Sequence, residues 1–502
     1  MKDQPKTIPL PPLVILIISG IFFYFSWFVS DAVRAAKLDT FILYNTDEIF
    51  RFYFVRLSLQ SASVFVNSYV RPLYMVVASI FYNLLPLGML SLRVMNVFFS
   101  CGTLYMVWRL ARKIGLEDKA STLIILIIAT NPIYFLHSIS IHAANLFCFL
   151  LITSLYFFYC RKYLLSVLLS SLLPLVRPEG YLSLFLMVIF LWREKKQDIR
   201  YFLLLFLPLI VWLGMNRLML GGGFLGRFFY QSLMQSSNVY GQNPLKVFSL
   251  RSPGLVITPL EFLLSSGYPI FVLFLIGLAV KLFDKKYLVL LSCFVAYFIF
   301  YSASTIIANF GLEKINIHGL MAIVSTPIIP FVAILAVIPL VMLNKNRTMG
   351  RLALIFFAAI FIASNLLQIV SFRQNPNLRW RILYTSTEQK VLKQAAEWLG
   401  KYAQKNNIKR LYISVDDAVH NFTNSFLLYL PTGIRFYMVS VQGDNVFLLD
   451  LETVKTLPFQ EADSVYLTGD KNIANLNSNT KCRLVKGFDS VSLYFYSLEE
   501  SK

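Results

Sequence analysis

Apolar residues run through most of this chain in stretches too long for a soluble core. A helix crosses a bilayer with about 20 predominantly apolar residues. Stretches of that kind fall near 11–29, 92–108, 120–136, 141–159, 163–176, 180–192, 201–219, 259–280, 287–306, 319–343 and 352–371. Those at 163–176 and 180–192 are short and borrow flanking residues. A further apolar stretch, 72–88, is ambiguous between a crossing and an interfacial or re-entrant segment. Beyond Arg373 the pattern changes. Residues 388–404 have helical spacing, with Leu392, Ala395, Ala396, Leu399 and Ala403 on one side. Strand-like runs follow at Leu411–Val415, Ile434–Val441, Ser464–Leu467 and Ser492–Tyr496. The pattern predicts a polytopic α-helical membrane domain over 1–372 and a small soluble α/β domain over 373–502.

Composition supports this division. Of 502 residues, 57% are hydrophobic and only 14% are charged, against roughly 25% in soluble domains. Mean hydropathy is +0.64. These values exclude a soluble enzyme and a disordered or fibrous chain. The formal net charge is +20. On a soluble protein that excess would suggest nucleic acid. Here it is concentrated before Arg373, where 30 basic residues face 13 acidic ones. Cytoplasmic loops of membrane proteins collect Lys and Arg.

That rule decides the ambiguous stretch. Lys2 and Lys6 precede the first span, which reads as an uncleaved anchor with a cytoplasmic N-terminus. If 72–88 crossed fully, every later basic loop would lie outside. If it lies in the interface or re-enters, the loops Arg109–Lys119, Arg161–Lys162, Arg193–Arg200, Lys281–Lys286 and Lys345–Arg351 all fall inside. This assignment gives about 11 spans and places the C-terminal domain outside the cytoplasm. Two outer loops are long, at about 31–91 and 221–258. Inner loops then hold 18 basic and 6 acidic residues, so most of the basicity is topological and implies no nucleic-acid partner.

The candidate chemistry lies on the outer face. Thr46-Asp47-Glu48 sits among Phe41, Ile42, Leu43, Ile49, Phe50 and Phe52 in the first outer loop. Adjacent carboxylates near a membrane are costly unless solvated or paired. The plain alternative is an acidic cap on a helix starting at Thr46. Arg177-Pro178-Glu179-Gly180 joins two short apolar stretches, either as a helix corner or as a charged site. Arg71-Pro72-Leu73-Tyr74 opens the ambiguous segment, as an interfacial anchor or a ligand contact. His137, His142 and His318 fall at outer ends of spans. They suit phosphate or metal binding, or simply satisfied helix ends. Arg217, Arg227, Lys246 and Arg251 lie in or near the Gly221-Gly222-Gly223 loop and suit an anion or lipid headgroups. No P-loop, HExxH, GxSxG or Rossmann fingerprint occurs.

In this order the features resemble the GT-C integral membrane glycosyltransferases. The likeness is to bacterial relatives of the dolichyl-phosphate-mannose protein mannosyltransferases and to the lipid A aminoarabinose transferase. Asp47-Glu48 matches their acidic motif in a long first outer loop. Pro72-Leu73-Tyr74 matches an amphipathic segment, Leu92-Arg93 the start of the next span, and Arg177-Pro178-Glu179-Gly180 an Arg-x-Glu-Gly motif. Relatives often carry a second acidic residue where this chain has His137, His142 and Asn145. The divalent metal such a pair would bind is therefore left open. Relatives also have an Arg-Tyr-Leu-like run where this chain has His318-Gly319-Leu320-Met321.

The resemblance implies transfer of a sugar from a polyprenyl-phosphate donor to a hydroxyl of a lipid, glycan or protein. The reaction would invert the anomeric centre at the outer face of a bacterial inner or plasma membrane. It casts Asp47 as general base, with Glu48 beside it. Arg71, Tyr74, Arg177, Glu179, Arg227 and His318 become the donor and phosphate contacts. Two alternatives stand beside it. One is an O-antigen ligase or polymerase-like enzyme, and the other is a flippase or transporter for lipid-linked glycans.

Overall fold

The computed structural model describes residues 10–34, 71–194, 198–220, 268–309, 326–343, 386–414, 435–439, 464–468, 475–477, 480–488 and 493–500, with isolated positions between 51 and 65 and between 356 and 365. Two compact units form. One comprises 1–27 and 66–380, and the other comprises 28–65 and 381–502.

The first unit is helical. Its helices are α1 (Leu10–Arg34), α2 (Pro72–Leu84), α3 (Met89–Lys113), α4 (Asp118–Thr130), α5 (Pro132–Ile139) and α6 (Ala143–Tyr159). They continue as α7 (Tyr163–Leu172), α8 (Gly180–Arg193), α9 (Ile199–Leu220), α10 (Tyr268–Lys281), α11 (Leu288–Asn309) and α12 (Ile329–Leu343). Among the described residues, three helical segments are long and apolar enough to cross a membrane: α1, α3 and the run Thr326–Leu343 that ends in α12. The bent pair α4 and α5 makes a fourth if counted as one span. The chain is an integral membrane protein. Its α1 shows Leu16, Ile17 and Trp27 on the surface, and α9 shows Leu203, Leu207 and Ile210. Bands of this kind suit lipid contact rather than water.

The central helices bury polar groups as well as apolar ones. From α3, Arg93, Asn96, Ser100 and Thr103 all point inward. This helix packs against α2, α4, α5 and α6. From Ile329 to Leu340 every residue of α12 is buried, so this helix is covered all round. It lies against α10 at backbone distance: a Cβ on Gly277 would stand 1.9 Å from the Leu335 carbonyl oxygen. Only glycine permits that approach.

The apolar run at 120–136 reads as one continuous span, and here the structure differs. The helix ends at Thr130, and α5 departs at 69° to α4. Pro132 has no N–H to continue the ladder. Asn131 restarts the helix, accepting from the Ile133 and Tyr134 backbone N–H groups. The segment at 72–88 forms α2, whose 13 residues span roughly 20 Å. That is shorter than the roughly 30 Å hydrocarbon core.

The C-terminal part of the second unit holds α13 (Ser386–Asn406) and a six-stranded sheet. The strands are β1 (Arg410–Ser414), β2 (Arg435–Val439), β3 (Ser464–Thr468), β4 (Asn475–Asn477), β5 (Thr480–Phe488) and β6 (Leu493–Glu500). Their spatial order is β2-β1-β3-β6-β5-β4. The β1 strand runs parallel to β2 and β3, and the other neighbours are antiparallel. Leu392, Ala395, Ala396, Leu399 and Ala403 form the buried face of α13. Trp398 meets Phe495 of β6 with ring centroids 5.0 Å apart. The strands β4 and β5 lie outside the expected runs.

Candidate active site

Arg71 stands immediately before α2, and Pro72 is the first residue of that helix. Proline is favoured there because its missing N–H would be unpaired in any case. Arg71 has φ 62° and ψ 134°, a conformation that costs a residue with a Cβ about 1–3 kcal/mol. Its carbonyl still accepts the Met75 N–H at 3.1 Å, so the helix starts cleanly behind it.

The Arg71 side chain is only 5% exposed. Its Nη1 donates to the Tyr181 hydroxyl at 3.3 Å. Its guanidinium lies 5.3 Å from the centroid of the Trp212 ring. Tyr181 belongs to α8 and Trp212 to α9. Among the described residues no carboxylate pairs with Arg71. Tyr74, in the first turn of α2, is fully buried.

Arg177 and Glu179 are arranged differently. One carboxylate oxygen of Glu179 accepts from Arg177 Nε at 2.8 Å and lies in ion-pair contact with Nη2 at 2.5 Å. Both side chains are largely buried. The backbone turns through Arg177-Pro178-Glu179-Gly180 with the Gly180 N–H on the Arg177 carbonyl and the Tyr181 N–H on the Pro178 carbonyl. Gly180 lies against the 3₁₀ turn Leu173–Leu175. A Cβ on it would stand 2.2 Å from the Leu173 carbonyl carbon and the Pro174 nitrogen. That turn also packs against α2 and α9. One helix start thus positions Arg177, paired with Glu179, and Tyr181, the partner of Arg71, which has no carboxylate among the described residues.

The loop between α5 and α6 carries a second polar group. The His137 and His142 rings stack in parallel, with centroids 4.5 Å apart and planes 2° apart. His137 Nδ1 is hydrogen-bonded to the Thr326 hydroxyl. His142 Nδ1 accepts from the Ala144 N–H at 3.2 Å and so caps α6. Asn145 donates to the His137 carbonyl. From α3, Arg93 Nη1 donates to the Ile139 carbonyl at 2.5 Å, and the Asn96 amide donates to the Ser140 carbonyl. His137, His142 and Asn145 each have a structural role in this loop. Among the described residues no three His, Cys, Asp or Glu side chains gather as a metal site.

Asp47, Glu48, Arg227 and His318 lie outside the described residues. Tyr181 and Trp212 were not among the sequence candidates. Tyr181 directly follows the Arg-Pro-Glu-Gly motif, a weak signal. Trp212 sits in an apolar helix with nothing around it to mark it.

Neither a scan of family models nor a search of curated proteins finds a match. Solved structures do match. ArnT from Cupriavidus metallidurans in its apo state superposes with a TM-score of 0.59 at 13% identity, covering 97% of each chain. The same protein bound to undecaprenyl phosphate superposes with a TM-score of 0.58 at 14% identity, again over 97% of each chain. The fold is GT-C. At such identity the likeness concerns the fold alone. In this GT-C chain Arg71, Tyr74, Arg177 and Glu179 all belong to the helical unit.

Proposed function

We propose that this protein transfers a sugar from a polyprenyl-phosphate donor to a hydroxyl acceptor at the extracytoplasmic face of the membrane. The observation that carries this reading is the buried Arg71 guanidinium, held by neutral groups. Removing a cation from water costs several kcal/mol unless an anion compensates. Arg177 has that anion in Glu179, whereas Arg71 has none among the described residues. A lipid phosphate would supply it, and ArnT, which shares the fold, has been crystallised with undecaprenyl phosphate.

The proposed reaction is a direct displacement. The acceptor oxygen attacks the anomeric carbon, and the bond from that carbon to the phosphate oxygen breaks. The phosphate leaves with the electron pair, and Arg71 stabilises the developing charge. Asp47 takes the acceptor proton, with Glu48 beside it. Displacement from the opposite face inverts the anomeric centre. On the reading of eleven spans with a cytoplasmic N-terminus, Asp47 and residues 373–502 lie on the outer side. The acceptor is a lipid, glycan or protein hydroxyl.

The test is binding of undecaprenyl phosphate to the full chain in detergent. Arg71→Met is expected to weaken binding at least tenfold, the order expected for a charge-assisted contact. Unchanged affinity in this variant, with its melting temperature retained, would refute Arg71 as the phosphate contact.

A further inference from the structure

We infer that Tyr181 and Trp212 are positioning residues for Arg71, a neutral seat that aims its guanidinium at the donor phosphate. This rests on the phosphate reading above and assigns roles to two residues which that reading leaves unused.

The argument begins with what a guanidinium offers. It has five N–H donors in a rigid planar fork, and its Nε and Nη2 edge matches two oxygens of one phosphate. Tyr181 engages Nη1, at 3.3 Å. That leaves the Nε and Nη2 edge whole, and it has no partner among the described residues. Trp212 covers the guanidinium at 5.3 Å from its ring centroid. A cation over an indole is attracted by the ring quadrupole without losing its charge.

The chemical type of the seat matters more than its strength. A carboxylate would hold Arg71 more tightly, and would also cancel its charge and occupy its fork. Arg177, held by Glu179 at 2.5 Å, shows that outcome four residues before Tyr181 on the same chain segment. A phenol and an indole immobilise a long side chain while leaving its charge for a ligand. A long, flexible arginine side chain has considerable rotamer entropy to lose. A seat that removes this freedom beforehand strengthens binding by pre-organisation. The backbone agrees: Arg71 is held at φ 62°, so the residue is constrained from both ends.

Ordinary packing would produce the same contacts, and a coupling experiment separates the two readings. Undecaprenyl phosphate is titrated into the full chain and into Tyr181→Phe, Trp212→Leu, Arg71→Met and the two double variants that include Arg71→Met. Tyr181→Phe removes one oxygen and keeps the ring, so the fold is retained, and melting temperature confirms this for each variant. With Arg71 present, Tyr181→Phe and Trp212→Leu are each expected to weaken binding about fivefold, the scale of one net hydrogen bond. With Arg71→Met they are expected to change nothing further.

Equal losses in both backgrounds, or no loss in either, would overturn the positioning role while the phosphate reading stands. Unchanged affinity in Arg71→Met alone would overturn the phosphate reading and this inference with it.

Discussion

Glu179 offers a single carboxylate oxygen to both Nε and Nη2 of Arg177, two residues earlier on the chain, at a bend that buries both side chains. The pair is local in sequence, and removing one partner takes this contact from a charge that is largely buried. Glu179→Gln is therefore expected to cost about 3–5 kcal/mol. Replacing both residues by apolar ones of similar volume should cost far less. Thermal unfolding in detergent distinguishes the two cases. Equal destabilisation by the single and double changes would mean that the charge pair is not what holds the bend.

Gly180→Ala should be among the most damaging small substitutions. Its Cβ would meet the backbone of Leu173 and Pro174 at 2.2 Å, and backbone cannot rotate aside. A loss of about 3 kcal/mol is expected, the upper range for overpacking. The readout is a lowered melting midpoint and loss of a monodisperse peak in size-exclusion chromatography. A variant indistinguishable from the parent would show that the α8 start does not press on the Leu173–Leu175 turn.

Asn131 is a helix cap within an apolar run, and its replacement isolates that role. Asn131→Ala removes the acceptor for the Ile133 and Tyr134 N–H groups and should cost about 1 kcal/mol. Asn131→Asp should retain most of the stability. Hydrogen exchange at those two amides gives the local measure, with faster exchange expected in the Ala variant only.

One prediction concerns pH. Asp284 lies in the turn between α10 and α11, and its carboxyl is held below the usual carboxylate value of 3.8. The hydrogen bond from Lys281 is the main cause, followed by the Lys286 backbone N–H. A folded-state value below the unfolded one means that the contribution is present above the ordinary carboxylate range. It is lost as pH falls through the depressed value. Lys281→Met should raise the Asp284 value towards 3.8, moving that loss to higher pH. Infrared titration of the carboxyl stretch against Asp284→Asn checks this. An unshifted titration would remove Lys281 as the cause.

The sequence makes the helices legible for a simple reason. Membrane burial requires long apolar runs, and these appear without any tertiary information. The break between α4 and α5 was written in Asn131-Pro132, a capping residue before an imino acid. Apolar residues on both sides hid it. The strands β4 and β5 were missed because Asn475–Asn477 and Thr480–Phe488 are rich in Asn, Thr and Lys. Pairing with β6, rather than intrinsic preference, makes β5 a strand.

The candidate site divides in the same way. Arg177 and Glu179 are two residues apart, and a motif captures them. Arg71 and Tyr181 are 110 residues apart, and no local pattern connects them. The difference between the two arginines, one facing a carboxylate and the other facing none among the described residues, exists only in three dimensions.

The loop between α5 and α6 has a further consequence. The Ile139 carbonyl at the end of α5 and the Ser140 carbonyl of the loop are capped by Arg93 and Asn96 from α3, and the His137 carbonyl of α5 by Asn145. In hydrocarbon an irregular backbone is tolerated only where protein satisfies it. These three side chains act as an internal solvent, performing for the loop what water does at a surface. A turn satisfied in this way has no need of water at those three carbonyls.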